Sequence, residues 1–113
     1  MNTCIFCKII KGEIPCDKVY EDEKVLAFLD IHPVSTGHTL LVPKEHFVWM
    51  QDTPDDVLIY CFLKVKELII KMKEKLNVDY VQVSVVGKDV PHFHIHLIPR
   101  KLEDDIHFNP MKK

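Results

Sequence analysis

Glycine is scarce: three residues in 113, against seven prolines. That ratio argues for short, defined turns and against a low-complexity linker. Long apolar runs are missing too. No stretch approaches a membrane span, and the opening "MNTCIFCKIIKGEIP" lacks a basic segment followed by a long apolar one, so neither membrane insertion nor secretion is expected. Strong charge of one sign is also absent. A formal net charge of -2 disfavours bulk attraction to a nucleic-acid backbone, while a small phosphorylated ligand, held by a few local donors, stays open. Without a secretory signal, the four cysteines (Cys4, Cys7, Cys16, Cys61) point to reduced thiols or a metal site, in a cytoplasmic protein.

What is present fits one domain over residues 1–113, with a hydrophobic share of 47% that allows a modest core. In "CIFCKIIKGEIP", Ile5 and Phe6 pair with Ile9 and Ile10 at helical spacing, and Gly12 and Pro15 stop the run. A helix this short needs tertiary packing or a metal to hold it. "KVYEDEKVLAFLD" reads as a hairpin turning at Glu21–Lys24, and "HTLLVPK" as a further strand. A long helix follows "QDTPDD", with Thr53 as N-cap, Pro54 at the first helical position, and Asp55 and Asp56 at the positive end of the dipole. Its apolar stripe includes Val57, Cys61 and Val65, which either belong to the core or meet their mates across a two-fold axis. "YVQVSVV" and "HFHIHLIP" bring the count to about five strands. The expected class is α+β: an antiparallel sheet with one long helix on a face and a short N-terminal helix.

"HFHIHLIPR" holds three of the seven histidines, His92, His94 and His96. On a strand they point one way while Phe93, Ile95 and Leu97 point to the core. The imidazoles would then line an open face, roughly 6.5–7 Å between neighbours. Such a row suits two jobs: a pair at i and i+2 can share a zinc ion, or the row can supply a nucleophile and phosphate donors.

"PHFHIHLIPR" resembles the signature of the histidine-triad (HIT) superfamily, His-φ-His-φ-His-φ-φ with φ hydrophobic. "CIFCKIIKGEIP" and "KVYEDEKVLAFLDIHPVSTGHTLLVPKEHF" resemble the N-terminal half of its nucleotide-binding, Hint-type branch, so the likeness runs from Cys4 to Arg100. The resemblance implies a purine nucleoside phosphoramidase-like hydrolase, working through a covalent nucleotidyl-histidine on His94. His96 and His38 match the family's other phosphate-facing histidines. Asp30 would accept from the ribose hydroxyls. Phe28, Ile31, Ile5, Phe6 and Ile9 would surround the base, and Asp89, near the phosphate, and Val90 complete the nucleotide-binding set. For Ile5 and Ile9, plain core packing is nearly as good a reading.

A subset of the family carries a structural zinc on a cysteine pair, the histidine of "PKxH" and the first triad histidine. Those positions here are Cys4, Cys7, His46 and His92, a closed Cys₂His₂ set. The resemblance also implies a homodimer. One departure stands out: before the triad this chain has only "GKDVP", with Asp89 where Ser or Thr is common, so leaving-group preference stays open. Two alternatives therefore remain, asymmetric hydrolysis of dinucleoside polyphosphates and nucleotide binding with little turnover.

Overall fold

In the computed structural model, which describes residues 4–87 and 90–103, helix α1 (Ile5–Ile10) leads into strand β1 (Lys18–Glu21). Then come β2 (Val25–Leu29), β3 (Thr39–Pro43), a 3-10 turn (Met50–Asp52), helix α2 (Asp55–Lys75), β4 (Tyr80–Ser84) and β5 (Ile95–Arg100). The strands form one sheet in the order β1-β2-β3-β5-β4, and every neighbouring pair is antiparallel. Among the described residues no helix is long and apolar enough to cross a membrane.

The α+β architecture is as the sequence predicts, with one addition: the sheet is covered on both faces. Alternate residues of a strand point to opposite sides, and here both sides are apolar. Val25, Ala27, Leu41, Ile95 and Leu97 join Cys61, Val65, Leu68 and Met72 of α2 in one cluster. Leu26, Phe28, Leu40 and Val42 face the other way, onto Cys4 and Phe6 at the start of α1. Cys61 and Val65 thus belong to the core of the chain itself. Neither can meet a partner across an axis.

The start of α2 also differs from the expected cap. Pro54 occupies the N-cap, where its carbonyl accepts from the Leu58 amide at 2.9 Å. Thr53 instead closes the preceding 3-10 turn, its hydroxyl donating to the Trp49 carbonyl at 3.0 Å. The two turns follow each other so closely that Thr53 already serves the first. Asp55 and Asp56 do lie in the first turn of α2.

Two connections position the functional residues. Between β2 and β3 the chain turns through Gly37, whose φ of +90° suits glycine. A Cβ there would lie 2.9 Å from Leu76 Cδ1 and 3.3 Å from Pro99 Cγ, so the loop is pressed against both α2 and β5. After β3, the Phe93 amide donates to the Phe47 carbonyl at 2.6 Å, which brings His46 beside the approach to β5.

Candidate functional site

The register of the sheet assembles the histidines. Leu40 pairs with His96 and Leu41 with Ile95, so the residue just before β3, His38, lies next to His96 although 58 positions separate them. Asp30, just after β2, is tied to the same place by its amide, which donates to the His38 carbonyl at 2.9 Å. Only His96 of the triad lies within β5; His92 and His94 precede it.

The three imidazoles do not line an open face. His92 is fully buried, His94 is 4% exposed and His96 is half-buried. For the first two the cause is α1, which lies over them: the Phe6 ring meets His94 edge-on at 5.0 Å and His92 at 5.9 Å. Beside the rings opens a cavity of about 730 Å³. It is lined by His38, His94 and His96, by Asp30 and Ile31, and by Ile5, Phe6, Ile9, Phe28 and Val90. All the residues assigned to a nucleotide therefore meet in one place, except Asp89, which lies outside the described residues. Cys16, His32 and Val34 line it too. Nothing in their local pattern marks them, since they arrive through turns that only the folded chain brings together.

Fixed backbone groups set the proton positions on the rings. His94 Nδ1 lies 2.7 Å from the His92 carbonyl, which can only accept, so Nδ1 carries the proton and Nε2 keeps the lone pair. His92 is arranged the other way round. Its Nε2–H donates to the Pro43 carbonyl at 2.9 Å, leaving the Nδ1 lone pair beside Cys4 Sγ at 3.4 Å and Cys7 Sγ at 3.5 Å. His38 Nδ1 accepts from the Val34 amide at 3.0 Å, which places its proton on Nε2.

Among the described residues, two groups have the spacing of metal ligands, and the tautomers separate them. The donor atoms of Cys4, Cys7, His46 and His92 lie within 4.8 Å of one another, with His46 Nδ1 at 3.1 Å from Cys7 Sγ. Two ligands of a tetrahedral zinc, one sulfur and one nitrogen, stand about 3.5 Å apart. The set fits zinc, and the His92–Pro43 hydrogen bond is the outer contact that orients a ligating imidazole. Burial lowers the pKa of His92, which keeps it neutral as ligation requires. Burial, with the Cys4 hydrogen bond next, pushes the metal-free Cys7 thiol up to about 11, so a bound cation must displace that proton.

Asp30, His38 and His96 form the second group, with donor atoms again within 4.8 Å. Here the ring is set against metal binding. A histidine that ligates through Nε2 needs its proton on Nδ1, and at His38 that position faces the Val34 N–H. Burial also lowers the pKa of His38, against the opposing charge of Asp30 at 3.5 Å.

The HIT domain model matches residues 11–103. An uncharacterized HIT-like protein of Methanocaldococcus jannaschii is 49% identical over 102 residues, covering 86% of this chain and 78% of that one. The adenosine 5'-monophosphoramidase of Candida albicans is 41% identical over 110 residues, 89% of this chain and 72% of its own. Among solved structures, a zinc-bound histidine triad family protein from Mycobacterium smegmatis superposes with a TM-score of 0.89 at 33% identity, covering 96% of this chain and 84% of that one.

Proposed function

This chain belongs to the HIT domain family, and from that premise we propose that it is a hydrolase of nucleoside monophosphate derivatives, cleaving at the α-phosphate of a purine nucleoside phosphoramidate. The observation that carries this reading is the His94 ring. Its Nδ1–H is held by the His92 carbonyl, and its lone-pair nitrogen belongs to a ring lining a cavity large enough for a nucleotide. A neutral imidazole so fixed is a competent nucleophile near neutral pH.

In the first step the His94 Nε2 lone pair attacks the α-phosphorus. A P–N bond to His94 forms, the bond to the leaving amine breaks, and the nitrogen departs as the amine with a proton taken up from the medium. In the second step water adds to phosphorus, the bond to His94 breaks, and the water's protons divide between the freed nucleotide and the medium. His96 donates to the phosphoryl oxygens as charge builds on them. Asp30 suits the ribose: Oδ1 is held by the His32 amide at 2.9 Å, which orients the carboxylate at the cavity. Phe6, Phe28, Ile5, Ile9 and Ile31 supply apolar surface for the base. Zinc on Cys4, Cys7, His46 and His92 would hold α1 beside the triad and leave His94 to the chemistry.

The test is to mix the protein with an adenosine phosphoramidate, quench in the first turnovers and weigh the protein. Added mass of one adenylyl group on a peptide containing His94, together with release of amine and adenosine monophosphate, is the expected result. Turnover with no adduct in any quench would reject the covalent route. Turnover of dinucleoside polyphosphates in preference, or none at all, would select one of the two alternatives.

A homodimer forms part of the proposal, on different residues from those the stripe of α2 suggests. Ile59 and Leu63 lie one turn apart on the outer face of α2 and are more than half exposed, at 59% and 56%. Among the described residues strand β4 ends the sheet, and its Tyr80 and Val83 are exposed. An apolar helix face and an open sheet edge are what a two-fold interface covers. Sedimentation at micromolar concentration should give twice the chain mass, and Leu63→Glu should halve it. A monomer in the unmodified protein would count against this.

A further inference from the structure

The ring of His38 is enclosed in a way that settles what it can do. Its Nδ1 accepts from the Val34 amide at 3.0 Å, and its Nε2 lies 3.0 Å from His96 Nδ1. A backbone amide can only donate. The neutral His38 ring therefore has its single proton on Nε2, aimed at His96 Nδ1, which must accept. The proton of neutral His96 is then on its own Nε2. Reversing any link sets two N–H groups against each other and forfeits a part-buried hydrogen bond.

The Val34 amide is held by the loop that carries it. The Ser35 hydroxyl donates to the Pro99 carbonyl of β5 at 2.6 Å, and the His38 amide donates back to the Ser35 carbonyl at 3.1 Å. Gly37 wedges the same loop between Leu76 and Pro99. The loop is thus clamped to the strand on which His96 stands.

We propose that Ser35, through the Val34 amide, is a positioning residue that locks the tautomers of His38 and His96, so that the ring next to the nucleophile presents an N–H and not a lone pair to the phosphoryl group. The lock rests on the hydrolase reading only for the identity of the group receiving that N–H. It also assigns His38 a role. With Nδ1 closed off by Val34, a proton lost from Nε2 has no route of replacement through the ring, so His38 orients His96 and does not relay protons to the leaving group.

Long-range proton–nitrogen correlation spectra of the ¹⁵N-labelled protein, without nucleotide, read the tautomers directly. Both His38 and His96 should show the proton on Nε2; a proton on Nδ1 of His38 overturns the lock. In Ser35→Ala, the Nδ1–H form should appear at one of the two rings, and kcat on an adenosine phosphoramidate should fall about tenfold, the loss of part of one transition-state donor, with KM nearly unchanged. Ser35→Thr, which keeps the hydroxyl, should recover both signals. A fall in kcat with unmodified ring spectra, or no change in either, shows that Ser35 is no such residue. If the unmodified protein turns over no phosphoramidate, the hydrolase reading fails while the spectra still decide on the lock.

Discussion

Replacing His94 with alanine should lower kcat by about 10⁴–10⁶-fold, the range expected when a covalent nucleophile is deleted and binding groups alone remain. The loss should fall on kcat, because the cavity wall formed by Phe28, Ile31 and Asp30 is untouched. Stability should not be spared altogether. His94 is 4% exposed, packs edge-on against Phe6 and donates to the His92 carbonyl. Its removal leaves a small cavity and an unpaired carbonyl, at a cost of roughly 1–3 kcal/mol. The variant should still fold, with a lower melting midpoint and circular dichroism like that of the parent. Steady-state kinetics and a thermal melt on one preparation check both halves. Parental turnover in the alanine variant would remove His94 from the mechanism.

The second large effect concerns the metal. The protein should purify with about one zinc per chain when prepared under reducing conditions without chelator, because the four ligands close a tetrahedral site. Helix α1 has six residues, too few to persist without external support. Phe6 anchors it by packing, and zinc would add a bridge from Cys4 and Cys7 to His46 and to His92. Binding to the folded chain alone, at a free metal concentration a thousandfold above Kd, adds about 4 kcal/mol. For a chain of this size that corresponds to a melting midpoint higher by roughly 10–20 °C. Cys4→Ser should abolish stoichiometric zinc and lose most of that increment, while Cys16→Ser, outside the ligand set, should keep both. Elemental analysis with paired melts tests it. An absence of zinc from freshly prepared protein would refute the site, and full zinc in Cys4→Ser would refute the ligand assignment.

Local pattern made much of this legible. The hairpin from Lys18 to Leu29, the strand after His38 and the long periodic helix are written in spacings of two and of three to four, which the backbone enforces residue by residue. The triad and the Cys4–Cys7 pair are short motifs whose chemistry follows from residue type, and the likeness to a known family supplied their partners at His46, His38 and Asp30. Where a neighbour from elsewhere in the chain intervenes, the local pattern misleads. Thr53 has every local qualification for an N-cap, yet Trp49 takes its hydroxyl. Cys61 and Val65 lie in the core, one of the two readings the apolar stripe allows, because the sheet is broad enough to bury them.

The sequence by itself determined the elements, the alternation that sends Phe93, Ile95 and Leu97 to one side and the histidines to the other, and the donor types available for metal and phosphate. These depend on covalent order and backbone period. Only the tertiary structure decided that α1 closes over His92 and His94, that His38 meets His96, and which nitrogen of each ring carries the proton. The reason is physical. A tautomer is chosen by the nearest fixed donor or acceptor, here the amide of Val34 and the carbonyls of Pro43 and His92, and backbone groups are nearly the same at every residue, so no side-chain pattern announces which one will stand beside a ring.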